Sequence, residues 1–147
     1  MQLDIKRILR DGRKPPMPQY QTVGAAAFDL AAFIPAPVIV PPRGSAFIPT
    51  GIAIALPPSA CALVLARSGL AFKHGVGLIN GVGLIDSDYR GEIVVGLINQ
   101  SDTPYTVEDG QRVAQLLIAR AQQIELREVG DLTETARGGG GFGSTGK

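Results

Sequence analysis

The sequence predicts an all-β fold, either a sandwich or a barrel. Its 147 residues include 19 glycines and 11 prolines that are spread along the chain, so no long helical period survives between them. The apolar runs between these residues are short, rich in Val and Ile, and bounded by turn residues, which is typical of many short strands. The predicted strand runs are Pro37–Val40, Ser45–Leu56, Cys61–Ala66, Gly75–Ile85, Glu92–Asn99, Arg112–Ala119 and Gln123–Val129.

One segment departs from this pattern and predicts a single short helix. Ser68 is its expected N-cap, and Gly75 is suited to a left-handed residue at its end. Lys73 and His74 fall in the last turn, where cations suit the helix dipole. We therefore interpret His74 as a helix-end residue rather than as a catalytic base.

Three similar apolar stretches, residues 75–80, 81–86 and 94–99, show little alternation between apolar and polar positions. Continuous apolar strands of this kind predict burial on both faces. In a chain of this length one of those faces is a candidate subunit interface. Because aromatic residues make up only 5% of the chain, that interface is expected to be small and aliphatic.

The composition excludes several classes of function. A net charge of +1 with 18% charged residues offers no basic footprint for a nucleic-acid polymer or an anionic membrane. One cysteine, Cys61, excludes an internal disulfide and suits a reducing compartment, and one histidine leaves too few ligands for zinc. Any metal is expected to be a hard cation such as Mg²⁺, held largely through substrate phosphates. No apolar run reaches membrane-spanning length, so we expect a cytoplasmic protein.

Two charged residues stand where packing alone does not require them. Asp29 lies among small and apolar residues, and a carboxylate in that setting needs a partner such as an arginine or a hydrated metal. Arg67 immediately precedes the predicted helix start, where backbone N–H groups and a guanidinium would converge on an anion. A turn or cap role for Asp29 and a plain surface role for Arg67 are the alternatives.

The stretch from Gly83 to Ile93 predicts a hairpin, because an apolar strand runs into a turn of Asp, Ser and Gly and a second strand leaves it. Asp88 suits the turn, whereas Asp86 at the strand end is a plausible general base. Asn80 carries both a donor and an acceptor, which could read the edge of a base. Gln115, flanked by apolar residues, either satisfies buried backbone or contacts a ligand.

The chain ends in a glycine-rich stretch that nearly matches a phosphate-binding P-loop, but no hydroxyl residue and no helix follow Lys147 in this sequence. We expect a single domain over residues 1–136 and a flexible arm over residues 137–147. Arg137 and Phe142 stand at either end of the glycine run, which favours a lid over something anionic and aromatic, such as a nucleotide. A solvated tail is the alternative.

In their order along the chain, these stretches resemble the five motifs of the homotrimeric dUTP pyrophosphatases (dUTPases). The motifs that carry the resemblance are Ala-Arg-Ser-Gly-Leu-Ala at 66–71, Gly-Leu-Ile-Asp-Ser-Asp-Tyr-Arg-Gly-Glu-Ile at 83–93, Gly-Gln-Arg-Val-Ala-Gln-Leu at 110–116 and Arg-Gly-Gly-Gly-Gly-Phe-Gly-Ser-Thr-Gly at 137–146. The first motif departs from the family, with Ala27 in place of the usual Gly and Phe28 in place of Tyr or Leu, while Asp29 is kept.

The resemblance implies a jelly-roll-like β fold and a homotrimer with shared active sites. It also implies Mg²⁺-dependent hydrolysis of dUTP to dUMP and pyrophosphate, which keeps uracil out of DNA and supplies dUMP for thymidylate synthesis. A dCTP deaminase of the same fold and a non-catalytic nucleotide-binding regulatory relative are the alternatives.

The resemblance also implies roles for individual residues. Asp86 would activate the attacking water, Tyr89 would lie under the deoxyribose, and Asp29 would sit near the metal and phosphates or orient Arg67. Uracil would be paired by Asn80, Gly83, Leu84, Ile85 and Val94. The phosphates would be held by Arg67, Ser68, Gly69 and Gln115. From the arm, Phe142 would stack on uracil while Arg137, Ser144 and Thr145 close over the β- and γ-phosphates.

Overall fold

The structure is a computed structural model that describes residues 2–141. Within them the chain forms one helix, α1 (Ser68–His74), and antiparallel strands. The strands are β1 (Asp4–Arg7), β2 (Phe28–Ala31), β3 (Val38–Val40), β4 (Ser45–Pro49), β5 (Ile52–Ala55), β6 (Ala60–Leu65), β7 (Val76–Leu78), β8 (Gly83–Ile85), β9 (Val94–Asn99), β10 (Tyr105–Val107) and β11 (Arg112–Arg120).

The strands are arranged in four sheets. The largest has the order β2-β11-β6-β8, a second has the order β4-β9-β7, and two further pairs are β1-β5 and β3-β10. Every pairing is antiparallel, and the sheets do not close into a barrel. The predicted all-β, jelly-roll-like fold with one short helix is therefore confirmed.

A single aliphatic core fills the space between the sheets. Its most deeply buried members come from several of them and include Leu30, Ile48, Leu97 and Leu116. Burial of one such side chain contributes about 1.5–3 kcal/mol. The buried Asn99 is satisfied by bonds from its side-chain amide to the carbonyl oxygens of Val40 (3.2 Å) and Thr103 (2.7 Å), so the polar residue does not weaken this core.

One strand prediction is wrong. The run Gln123–Val129 forms no strand, because the chain leaves the sheets after Ala121, whose N–H donates to the Ser59 carbonyl, and Leu126 beyond it is 89% exposed. Burial on both faces, with a subunit interface covering one of them, stays a prediction: within one protomer, buried and more exposed residues alternate along β9, and Val94 is 47% exposed. The domain boundary at residue 136 stays a prediction.

The predicted hairpin at residues 83–93 is wrong as well. Its two strands enter different sheets, since β8 pairs with β6 while β9 lies between β4 and β7. Tertiary pairing overrides the local turn signal here, because the chain after the turn is held by the Ile93 N–H bond to the Ile52 carbonyl (2.8 Å). The loop over residues 86–93 therefore crosses between sheets, and a gap opens between β8 and β9.

The helix lies where it was expected, with one difference at its start. Arg67 takes the N-cap position instead of Ser68, and no side chain bonds to the free N–H groups there. Gly75 ends the helix at φ 66°, as predicted, and Lys73 and His74 occupy the last turn. No helix in residues 2–141 has the length and apolar character needed to cross a membrane.

Candidate active site

A pocket of about 230 Å³ lies in the gap between β8 and β9. It gathers seven of the residues singled out from the sequence: Asn80, Gly83, Leu84, Ile85, Asp86, Tyr89 and Val94. The other lining residues are Val64, Leu78, Glu92, Ile93, Val95 and Gly96. Residues separated by as many as 32 positions in sequence, from Val64 to Gly96, thus meet in one cavity, because strands of two sheets line it.

One wall of the pocket is formed by β8. This strand is at the edge of its sheet and pairs only with β6, so its other side has no strand partner. A Cβ added at Gly83 would stand 3.0 Å from the Cβ of Val64 and 3.4 Å from Nδ2 of Asn80. The glycine therefore lets Asn80 approach the edge strand, where an amide and free backbone groups are available to a flat polar ring.

The loop over residues 86–93 carries the reactive side chains of this pocket. Asp86 follows β8 directly, is exposed, and accepts the Tyr89 N–H at its carbonyl (3.2 Å). The Tyr89 hydroxyl donates to the Glu92 carbonyl (3.0 Å), and a Cβ at Gly91 would collide with the tyrosine ring. The ring thus lies directly against Gly91, while the Asp86 carboxylate stays open to solvent and ligand.

A second polar cluster surrounds Asp29. One carboxylate oxygen accepts from Nε of Arg67 (3.1 Å) and the other from Nη1 of Arg112 (2.9 Å). Nη1 of Arg67 also donates to the Arg112 carbonyl (3.0 Å), and Nε2 of Gln115 donates to the Ala66 carbonyl (3.0 Å). The Asp29 side chain is only 13% exposed, so its charge is matched by the two guanidiniums.

The pairing register places this cluster on the outer face of the large sheet. Gln115 stands opposite Asp29 on one side and Leu65 on the other, and directly opposed residues share a face. The neighbours of Asp29 in sequence, Phe28 and Leu30, are buried in the core. Asp29 and Gln115 therefore face away from the core.

The pocket, by contrast, reaches the core-facing side of the same sheet through Val64 and Ile85. Val64 precedes Leu65 and so points to the opposite face. Leu84, which pairs with Leu63 on the outer face, also lines the pocket, so the pocket adjoins both sides of the edge strand β8. Asp29 lies on β2, the opposite edge strand of the same sheet, so the pocket and the Asp29 cluster are separate within one protomer.

Arg112 reaches Asp29 because of a β-bulge. The register of β11 against β2 shifts between Arg112 and Ala114, so Val113 and Ala114 are both buried and Arg112 turns outward. Sequence reasoning missed the contact between Arg112 and Asp29. Arg112 and Gln115 are three residues apart, and on a regular strand they would face opposite sides of the sheet. The available signal was the position of Arg112 inside the 110–116 motif.

The donor chemistry of Asp29 suits arginine better than a metal. Both of its oxygens already accept guanidinium bonds, and no group of three or more His, Cys, Asp or Glu residues suited to a metal occurs within residues 2–141. A hard cation needs about six oxygen ligands. Within the described chain, Mg²⁺ would fit only if a phosphate ligand and water supplied most of its coordination.

The remaining predicted residues lie away from the pocket or outside the described chain. Ser68 and Gly69 are exposed in the first turn of α1, beside Arg67. Arg137 is exposed, and its Nε donates to the Gly140 carbonyl (2.8 Å). Phe142, Ser144 and Thr145 fall outside residues 2–141.

The fold and the site together define an all-β protein with a pocket for a flat polar ring and a separate arginine-rich anion site, the features of a nucleotide-binding protein. The dUTPase family model matches residues 13–146, and the chain belongs to the dUTPase family. It is accordingly a dUTP diphosphatase.

Solved structures of phage dUTPases share this fold. A Staphylococcus bacteriophage 80alpha dUTPase with dUPNHPP is 25% identical, with 99% of each chain covered and a TM-score of 0.87. A mutant of the 80alpha phage dUTPase is also 25% identical, covering 97% of this chain and 98% of that one, with a TM-score of 0.86. A mutant of the dUTPase from phage phi11 of S. aureus, described with a structural Mg(II) ion, is 20% identical over 91% of this chain and 100% of that one, with a TM-score of 0.80.

Proposed function

We propose that dUTP binds with its uracil in the pocket between β8 and β9 and its phosphates on the Asp29 cluster of a neighbouring protomer. The observation that carries this proposal is the separation of the two half-sites. Seven candidate residues line the pocket, whereas Arg67 and Gln115 do not. Gln115 lies opposite Asp29 on the outer face of the large sheet. A substrate that needs both half-sites requires a second subunit.

Uracil recognition depends on hydrogen bonds from fixed groups. Asn80 and the backbone of Gly83, Leu84, Ile85 and Val94 line the pocket and pair with the base edge. Cytosine reverses donor and acceptor at two adjacent positions, N3 and the substituent on C4, and leaves buried groups unpaired, a penalty that can reach roughly 10⁴-fold in rate. Tyr89 lies under the deoxyribose, where its ring excludes a 2′-hydroxyl.

Asp86 acts as the general base. Its carboxylate takes a proton from a water that attacks the α-phosphorus in line. The bond between the α-phosphorus and the oxygen bridging to the β-phosphorus breaks, and pyrophosphate leaves as dUMP forms. Because the chemistry itself needs little covalent help, the rate depends on alignment and on stabilisation of negative charge.

Arg67, Ser68, Gly69 and Gln115 hold the phosphates. Asp29 keeps the Arg67 guanidinium in place and approaches the cation only through water, which agrees with its two occupied oxygens. Mg²⁺, bound mainly by the triphosphate, supplies neutralisation of phosphate charge.

We propose that the neighbouring protomers form a homotrimer. The outer face of the large sheet supports this. Leu63 pairs with Leu84 and with Leu117 across β8-β6-β11, in a row next to the one that holds Gln115. Leu84 is 64% exposed, so this aliphatic row is incompletely covered within one protomer. A subunit packed there would bring its own pocket beside the Asp29 cluster.

The arm over residues 137–147 closes the site over a body formed by residues 1–136. Phe142 stacks on uracil, while Arg137, Ser144 and Thr145 cover the β- and γ-phosphates and exclude water. Truncation after Ala136 is expected to lower turnover of dUTP severely and to leave the trimeric state, measured by light scattering, unchanged. An unaltered rate would mean that the arm is only a tail.

In the cell this reaction would keep uracil out of DNA and supply dUMP for thymidylate synthesis. The free thiol of Cys61 suits the cytoplasm as the place where it works.

The decisive experiment compares wild type with Asp86→Asn. Pyrophosphate release from dUTP with Mg²⁺ should fall about 10²–10⁴-fold in the variant, because the base is lost. Calorimetric binding of a non-hydrolysable dUTP analogue should change little, because the contacts remain. Near-normal turnover of the variant would sink the assignment of the base, and deamination of dCTP by the wild type would redirect the proposal to the deaminase alternative.

A further inference from the structure

A half-buried ion pair adjoins the pocket and takes no part in the proposed chemistry. Glu92 lines the pocket, yet its side chain is only 17% exposed and its carboxylate is bonded to Nη2 of Arg10. The second carboxylate oxygen accepts the N–H of Gly51 (2.7 Å). The Arg10 guanidinium is held in turn by the Phe33 carbonyl (3.2 Å). We call Arg10, Glu92 and Gly51 the Glu92 clamp.

The Glu92 clamp is connected directly to Tyr89. The backbone carbonyl of Glu92 accepts the tyrosine hydroxyl (3.0 Å), and the tyrosine ring rests against Gly91. The next residue, Ile93, is tied to the β4–β5 turn by its N–H bond to Ile52 (2.8 Å) and by its carbonyl, which accepts from the buried Thr50 hydroxyl (2.6 Å). The bonds of Ile93 therefore fix the end of the 86–93 loop. Within residues 2–141, the Tyr89 hydroxyl makes one hydrogen bond, and its acceptor is at this end of the loop.

A second ion pair of the same construction lies nearby without touching the pocket. Arg13 is bridged to Arg10, donates to the Ile34 carbonyl (3.2 Å) and pairs with Asp109, whose carboxylate accepts the Ile34 N–H (3.0 Å). Both guanidiniums lie over the Phe33 ring, at 5.7 Å for Arg10 and 5.1 Å for Arg13. The two pairs differ in what the carboxylate adjoins, since Glu92 lines the pocket and Asp109 does not, and in exposure, since the Glu92 side chain is 17% exposed and that of Asp109 42%.

We infer that Glu92, held by Arg10, is a positioning residue that places the Tyr89 ring and so sets the discrimination between deoxyribose and ribose substrates. This inference rests on the proposed sugar contact of Tyr89. If the carboxylate is lost, Arg10 and Gly51 lose their common acceptor, and the Glu92 backbone is freed to shift. The Tyr89 hydroxyl moves with that backbone, and the space beside the 2′ position opens.

The test compares Glu92→Gln with its matched control Asp109→Asn. For each protein, kcat and KM are measured with dUTP and with UTP, together with the thermal unfolding midpoint. In Glu92→Gln the ratio of kcat/KM for dUTP to that for UTP is expected to fall about tenfold, mainly through KM for dUTP and gained turnover of UTP. In Asp109→Asn the ratio should stay within about twofold of wild type, and the unfolding midpoint should fall less than in Glu92→Gln because this pair is more exposed.

Arg10→Met removes the other partner of the ion pair in the Glu92 clamp. It replaces Glu92→Gln in the test if that variant does not fold. It should lower the same ratio, and the double variant should be no worse than Glu92→Gln alone, because both act through one contact. An equal ratio in Glu92→Gln and Asp109→Asn, or an unchanged ratio in a folded Arg10→Met, would overturn the inference. Such a result with normal wild-type hydrolysis and an inactive Asp86→Asn would leave the proposed function intact.

Discussion

The pocket between β8 and β9 and the Asp29 cluster are built in opposite ways. The pocket is lined mainly by aliphatic residues of strands from two sheets, with a few polar side chains from the segments around β8. In the Asp29 cluster the candidate groups are long charged side chains that hold one another, through two arginines on one carboxylate. The first region is rigid because of strand pairing, and the second because of side-chain pairing.

The pocket offers recognition by shape and hydrogen bonding, whereas the Asp29 cluster offers recognition by charge. In the proposed function, the β8 edge, which begins at Gly83, accepts a thin ligand with matching donors and acceptors and so discriminates between bases. Guanidiniums hold phosphate strongly and say little about what the phosphate carries. Apart from variants of Asp86, the proposed base, pocket variants should therefore alter which nucleotide is used, while variants of the Asp29 cluster should lower the rate with every nucleotide triphosphate.

The largest effect is expected from Asp29→Asn. The variant leaves two guanidiniums without their shared charge, and breaking such a mostly buried pair costs about 3–5 kcal/mol. We expect kcat/KM for dUTP to fall about 100-fold or more, with a lower unfolding midpoint. Pyrophosphate release and thermal unfolding measure the two effects. Asp131→Asn, which changes an exposed carboxylate, is the control. Wild-type kinetics in Asp29→Asn would contradict a role of the Asp29 cluster in catalysis.

A smaller and more selective effect is expected from Gly83→Ala. The added methyl would lie 3.0 Å from Val64 Cβ, so Val64 and the β8 backbone must move apart by a few tenths of an ångström, and both line the pocket. KM for dUTP should rise about tenfold with kcat largely kept, since binding of the base suffers while the Asp29 cluster is untouched.

Gly77→Ala provides the matched control, because a Cβ at Gly77 on β7 would meet nothing within 4 Å. If both alanine variants bind dUTP alike, the close approach at Gly83 has no bearing on recognition. If Gly83→Ala instead lowers kcat with an unchanged KM, the two regions are not as separate as described.

The smallest effect is expected from Asp102→Asn, outside both regions. The hydrogen bond and the charge of Arg43 lower the pKa of the Asp102 carboxyl in a fully exposed pair. Any contribution to stability is therefore present above the ordinary carboxyl pKa and is lost as the pH falls through the lowered value. At neutral pH the unfolding midpoint and the kinetics should match wild type, because exposed pairs contribute little. A clear loss of activity in Asp102→Asn would show that the surface around Arg43 and Asp102 also takes part in function.

Sequence reasoning succeeded where local pattern and final contacts coincide. The residues of the pocket lie close together in the 80–94 stretch, and short apolar runs with turn residues correctly indicated sheets. It failed where a distant partner decided the outcome: the 83–93 stretch looks like a hairpin until β6, β4 and β7 compete for its strands. Residues 123–129 look like a strand, but no strand partner is present within the described protomer.

By itself the sequence determined the β character, the short helix with its glycine end, and the set of residues from which the site is drawn, because these follow from local conformational preferences and motif order. Only the tertiary structure decided which of them meet. A β-bulge turns Arg112 onto the face of Asp29, and Arg10 reaches Glu92 across more than eighty residues. Such contacts depend on register and on long-range pairing, which no short window of sequence contains.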